Sequence, residues 1–417
     1  MFKKGKVVMA ALAAAAMLVP LAACGGSGDA QSDGQTTITY FSWNNEKQMR
    51  PVVDAFEKAN PDIKVDMSAA QGQANDYVQT LTTRIAGDQT PDIFHMSTEN
   101  RNEIMDAGVA RDITDESFMK HVDDSYKKLF TRDGKVYGYS PTAWAGGIIY
   151  NKDLLKQAGY DTVPETLEEF NALGKKLQEA GVTPYMEDLS VASTSFQPML
   201  GGYYAGQGIA TNDDDIYSNK KTMSDVWTPV LKQWKTMVDA GTLPKETVGV
   251  SGDQIKQQFL TGKLAMYRSG PWDAPDLNKS GIDYGFAAFP AVEGGEPMVG
   301  GGPDSPYAIS SKTEGKKLEA AKKFLAFIDS AEGEKLLEEN LGAISISSTY
   351  KANVDEHFAD VYNDYIAKGK MYWVDWPSAG TVMTQEMTSQ WQLMIQGQAS
   401  PADVTKALDA KWQSSAK

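Results

Sequence analysis

Nine tryptophans and eighteen tyrosines supply flat surfaces that can also make a hydrogen bond, and several stand beside amides and carboxylates. Trp43-Asn44-Asn45-Glu46 is one such run. Trp373-Val374-Asp375-Trp376-Pro377 is another, with two indoles flanking a carboxylate and no helical stripe to absorb them. Gln71 and Gln73, Ser97 and Glu99, Trp272-Asp273, and the stretch from Tyr185 to Gln197 with Glu187 and Asp188 add more of the same groups. Carboxylates and amides exchange hydrogen bonds with hydroxyls, and aromatic faces cover flat apolar C–H faces. Together these two chemistries fit a neutral sugar. Each neutral hydrogen bond contributes only about 0.5–1.5 kcal/mol net, so micromolar affinity, about 8 kcal/mol in all, needs several of them.

Catalytic and metal chemistry has less support. His95, His121 and His357 are isolated, and no His-Glu-x-x-His zinc motif, Gly-x-Ser-x-Gly elbow or phosphate-cradling Gly-Lys-Ser/Thr loop occurs. The only thiol is Cys24. Asp213-Asp214-Asp215 lacks the glycine and final glutamate of a calcium hand and reads as a solvated turn. The expectation is a binder with no cofactor, no metal and no catalytic residue. A glycosidase carboxylate pair stays open as an alternative. So does a site for another small solute, such as an amino acid, a peptide or a polyol, because Lys47, Arg101 and Arg268 stand in the candidate loops.

The ends fix a compartment. Lys3, Lys4 and Lys6 precede an uncharged apolar run from Val7 to Val19, then Leu21-Ala22-Ala23-Cys24-Gly25. That is the order of a secretory signal peptide, too short for a span of about 20 residues. The lone cysteine cannot form an intramolecular disulfide. Gly25 to Gln35 is small and polar and reads as a flexible tether. The net charge of −15 becomes −18 once residues 1–23, with three lysines and no acid, are removed. Such acidity argues against a nucleic-acid partner and against charge-driven adhesion to anionic lipid.

The elements that must position the candidate groups follow an α/β rhythm. Ile38 and Tyr40 alternate with threonines, and Met49, Val52, Val53 and Phe56 take helical spacing. Ile63, Val65 and Met67 alternate again, a second helix carries Tyr77, Val78 and Leu81, and Ile93-Phe94 follows. This order implies parallel strands with right-handed crossovers and ligand loops beyond their carboxyl ends: Ser42 to Lys47, Ala69 to Asn75, and His95 to Arg101. Asn44 and Asn45 also suit an N-cap of the next helix. A second unit begins with Gly147 to Tyr150. Trp227, Trp234, Trp391 and Trp412 lie on apolar helical stripes and are expected in the core.

Two resemblances follow from these residues. Leu21-Ala22-Ala23-Cys24 resembles the lipobox of bacterial lipoproteins, which implies a diacylglycerol on Cys24 and a place on the outer face of the cytoplasmic membrane. The runs Phe56 to Val65, Gly87 to Ile93, Tyr150 to Leu155, Phe259 to Met266, Gly270-Pro271-Trp272, and Ala320 to Leu325 with Glu332-Gly333 resemble, in order and spacing, the carbohydrate group of extracellular solute-binding proteins of ABC importers, the maltose-binding group. The resemblance covers nearly all of the chain after Gln35. It implies an α/β fold of two lobes, each a sheet flanked by helices. Residues 36–142 and 298–342 would form one lobe, and 143–297 and 343–417 the other. Ligand would lie in the cleft of a monomer that closes by hinge motion and meets permease subunits. It implies sugar contacts at Asn44, Asn45 and Glu46 and a stacking role for Trp272. Near Ser97 and Glu99 the family carries a binding aromatic that Met96 replaces here. At the crossovers the resemblance places Trp144, as a ligand contact or a packed hinge residue, and the tight loop Gly300 to Asp304, whose glycines either let a ligand approach the backbone, with Gly301 and Asp304 as contacts, or merely make a turn. Asp273, Gln197, Asp375, Trp373 and Trp376 complete the expected wall.

Overall fold

The computed structural model describes residues 34–70, 74–97, 99–122, 124–191, 194–209 and 213–415. Cys24, the signal segment and nearly all of the expected tether lie outside these residues, as do Gln71 and Gln73. Among the described residues no helix is long and apolar enough to cross a membrane.

The first sheet grows from Thr36–Ser42. It pairs in parallel with Ile63–Ala69, Tyr40 opposite Met67, and with Ile93–His95, Phe41 opposite Phe94. Successive strand residues face opposite sides, and both sides are covered. Ile38 and Tyr40 meet Val52, Phe56, Phe324 and Leu325, whereas Phe41 packs with Tyr77, Leu81 and Phe94. The helical spacing read in the sequence produces this cover: Glu46–Ala59 buries Met49, Val52, Val53 and Phe56. The fourth strand, Tyr307–Ile309, is antiparallel and arrives much later in the chain, followed by the helices Gly315–Ile328 and Ala331–Leu341.

The second sheet is built around the ten-residue strand Thr142–Asn151. Its first half pairs with Val299–Pro303 and Ile344–Ser345, and its second half with Leu264–Ser269 and Tyr284–Ala287. Thr183–Met186 and Met371–Tyr372 complete it. Trp227 and Trp234 of helix Met223–Asp239, Trp391 of Gly380–Ile395 and Trp412 of Pro401–Ser415 fill its core together with Phe170 and Phe196. The tail therefore adds helices to an existing lobe.

Two expectations are corrected. Val299–Pro303 belongs to the second sheet, with Gly301 opposite Ala145, and not to the first lobe. A Val-Gly-Gly-Gly-Pro run has no apolar alternation to mark it as a strand. The chain crosses at 304–306 instead: the Asp304 N–H donates to the Thr142 carbonyl (2.9 Å), and His95 Nδ1 lies 2.8 Å from the Ser305 carbonyl. That carbonyl requires Nδ1–H, so Nε2 accepts the Tyr40 hydroxyl at 2.8 Å. Burial holds His95 down at a pKa of about 4, and the ring is neutral. Asp213 is also no solvated residue. It is 4% exposed and accepts from Trp227 Nε1 (2.9 Å), Tyr372 (2.6 Å) and Tyr204.

Candidate functional site

A cavity of about 450 Å3 opens between the loops of the two sheets, with walls from both lobes. The first strand ends into Trp43, Asn44 and Asn45, all on the wall. Asn45 also does the capping work allowed for it: its side-chain oxygen accepts the Gln48 N–H at 3.0 Å. Glu46 lies one step inside the helix, off the wall, paired with Arg50. After the third strand, Glu99 and Arg101 line the cavity. Ser97 does not. It is 1% exposed and donates its N–H (3.0 Å) and hydroxyl (3.1 Å) to Asn100 Oδ1, closing a buried turn.

The second lobe supplies the indoles. Trp144 projects from the long central strand, and Trp272 follows Leu264–Ser269 through Gly270-Pro271. Between them stands Arg268, whose guanidinium carbon is 6.0 Å from the Trp144 ring centroid and 5.9 Å from that of Trp272. These distances are within cation–π range. Burial lowers the Arg268 pKa, and the nearby Glu187 carboxylate opposes that shift; a guanidinium stays charged regardless. Gly270 is a spatial requirement, since a Cβ there would sit 2.4 Å from both the Ala145 carbonyl and the Trp272 ring.

Trp373 follows the edge strand Met371–Tyr372 and lies where a Cβ on Gly302 would be, 2.2 Å from its ring. Its Nε1 is buried and has no partner among the described residues. Trp376 touches the cavity but is only 3% exposed, its ring centroid 5.7 Å from Trp412, 5.8 Å from Tyr217 and 5.9 Å from Trp227. It is chiefly a core residue. Gln197 reaches the wall and fixes it, accepting the Val374 N–H at 3.0 Å.

The carboxylates divide. Asp304 lines the cavity, accepts the Ser305 N–H (2.7 Å) and the Thr142 hydroxyl (3.4 Å), and is raised by burial. Asp273 and Asp375 are turned away from it. Asp273 accepts from Tyr267 (2.9 Å), Lys256 (3.0 Å) and Ser269. Asp375 forms an ion pair with Arg101. Gly301 is also off the wall; a Cβ on it would lie 2.7 Å from the Trp144 carbonyl, so its smallness serves strand packing. Glu187 and Asp188 serve structure as well. Glu187 accepts from the Ser195 N–H (2.7 Å) and hydroxyl (2.8 Å), and Asp188 from Gly252 N–H (2.9 Å). Among the described residues no cluster of three or more His, Cys, Asp or Glu side chains is placed to hold a metal.

Arg101 and Arg268 entered the sequence reading only as charges for a rival ligand, and Gln48 and Thr384 of the same wall not at all. No local pattern marks them, because their place depends on strands and helices far apart in the chain.

The sequence profile described as bacterial extracellular solute-binding protein matches residues 42–335. A solved family 1 extracellular solute-binding protein from Bifidobacterium longum subsp. infantis is 44% identical, covering 91% of this chain and 100% of that one at a TM-score of 0.73. The maltodextrin-binding protein MdxE of Bacillus subtilis (strain 168) is 26% identical over 370 residues, 85% of this chain and 84% of the relative. A maltooligosaccharide ABC transporter solute-binding lipoprotein of Streptococcus pneumoniae (strain ATCC BAA-255 / R6) is 25% identical over 358 residues, 82% of this chain and 80% of the relative. These relatives are binding proteins by name.

Proposed function

The chain belongs to the bacterial extracellular solute-binding proteins, and from that premise we propose that it captures a neutral oligosaccharide and delivers it to an ABC importer without cleaving it. The observation that carries this reading is the composition of one interlobe wall: the indoles Trp144, Trp272 and Trp373 stand with Asn44, Gln197, Glu99 and Asp304. Aromatic faces would take the sugar rings, and the amides and carboxyls the hydroxyls. The names of the Bacillus and Streptococcus relatives point to the same ligand class. Arg101 on the wall is already ion-paired with Asp375, and the charge of Arg268 is opposed by the nearby Glu187, which favours a neutral ligand over an anionic one. In this reading residues 1–23 leave on export, Cys24 carries lipid, residues 25–35 tether a monomer, and closure of the lobes over sugar is the signal to the permease.

The test is a melting-temperature screen of the purified protein against neutral mono- and oligosaccharides, uronic acids, amino acids and peptides, with analysis of any products. A binding sugar at 100 times its Kd adds about 2.7 kcal/mol, a shift of several degrees. Stabilisation by amino acids or peptides alone, or turnover of the stabilising sugar, sinks the proposal.

A further inference from the structure

The cavity described above has a neighbour. A second space, of about 370 Å3, is lined by Val78, Gln79, Thr82 and Thr83 of the first-lobe helix Ala74–Ala86 and by Thr381, Thr384 and Gln385 of the second-lobe helix Gly380–Ile395. Glu99 and Thr384 line both spaces. Here the wall chemistry changes. The first cavity is walled partly by indoles, whereas the second has no aromatic side chain: Val78 and the threonine methyls stand there beside the hydroxyls and amides, and Glu99 is its one charged residue. Thr82 and Thr83 donate their hydroxyl hydrogens to the Val78 (2.8 Å) and Gln79 (2.9 Å) carbonyls, so their oxygens remain as acceptors. Gln79 and Gln385 are exposed and offer both donors and acceptors.

At the junction the polar groups are unfinished. Glu99 Oε2 is buried and accepts no hydrogen bond among the described residues; Arg101, which lines the first space only, carries two buried donors, Nε and Nη1, in the same condition. The backbone there is pinned, because the Thr381 hydroxyl donates to the Glu99 carbonyl at 2.9 Å. Buried polar groups are normally paired. Glu99, whose side chain lines both spaces, is placed to meet a group passing from one to the other, and a sugar hydroxyl can donate to a carboxylate.

Resting on the carbohydrate reading, we propose that the ligand is a neutral oligosaccharide long enough to pass Glu99, with its first rings among the indoles and a further unit in the second space. Glu99 accepts from a hydroxyl at the crossing, and Gln79 and Gln385 hydrogen-bond the further unit. Chain length is then read by the two helices, separately from the aromatic wall.

Calorimetry with four graded series tests this: maltose to maltohexaose, xylobiose to xylohexaose, diacetylchitobiose to its hexamer, and raffinose with stachyose. In a series that binds, affinity is expected to rise about tenfold when the chain becomes long enough to enter the second space. Gln385→Trp, a substitution at an exposed position that fills that space, is expected to remove this gain and leave shorter members within about twofold. The double variant Gln79→Ala/Gln385→Ala, which adds no bulk, is expected to reduce the same gain. Equal affinity at all lengths in the unaltered protein overturns the proposal, as does an equal loss at all lengths in both variants. Failure of all four series to bind strikes at the carbohydrate reading itself.

Discussion

Trp272-Asp273 and Trp373-Val374-Asp375 offer a comparison within one wall. In each, an indole reaches the cavity while the carboxylate beside it leaves for a cation. The cations differ in origin. Lys256, the partner of Asp273, comes from helix Gly252–Leu260 of the same lobe, only 17 positions away. Arg101, the partner of Asp375, comes from the first lobe, 274 positions away. Similar local sequence therefore yields a brace inside one lobe and a tie between two. The tie has company: Asn102 Nδ2 donates to the Trp376 carbonyl at 2.9 Å, and Thr381 to Glu99. The lesson is that an acid beside a ring in sequence says little about ligand contact until its cation is known.

Substitutions can break or sharpen this contrast. Trp272→Ala removes a plate that the brace exists to hold, and is expected to weaken sugar binding by about 100-fold; calorimetry with affinity unchanged would remove Trp272 from the site. Asp375→Asn loosens the tie, which is lost when the lobes separate. It is expected to weaken binding about tenfold and to shift small-angle scattering of the ligand-saturated protein toward a more open form. Asp273→Asn leaves Lys256 its second partner, Asp276 at 2.9 Å, so it should lower the melting temperature by only about 2–4 °C and move affinity less than about threefold. If the two Asp→Asn variants behave alike, the distinction between brace and tie fails.

Much of this architecture was legible beforehand, for identifiable reasons. Ile38 and Tyr40 alternate, and Met49 to Phe56 repeat at helical spacing, because each element buries one defined face; Trp227, Trp234, Trp391 and Trp412 sat on apolar stripes and are core. Trp272 and Trp373 reach the cavity because no stripe claims them. Asp273 and Asp375 misled because neighbouring side chains diverge, and the cations that draw the carboxylates away stand outside any local window. Gly301 and the strand Val299–Pro303 misled in another way. Glycines carry no polarity pattern, so their pairing with Thr142–Asn151 shows only in three dimensions. Ser97 gave way to a buried turn, since a short hydroxyl beside Asn100 is satisfied locally.

Gly270 and Gly302 carry a lesson for anyone who would retune this protein. Each lies against an indole where a single added methyl would collide with the ring. An alanine scan would therefore score two residues without side chains among the most sensitive in the cleft, and a library confined to cavity-facing side chains would leave both untouched. The placing of both rings depends on what these positions lack. A fruitful search for altered selectivity would start by pairing a small residue at either glycine with a smaller aromatic at its neighbour.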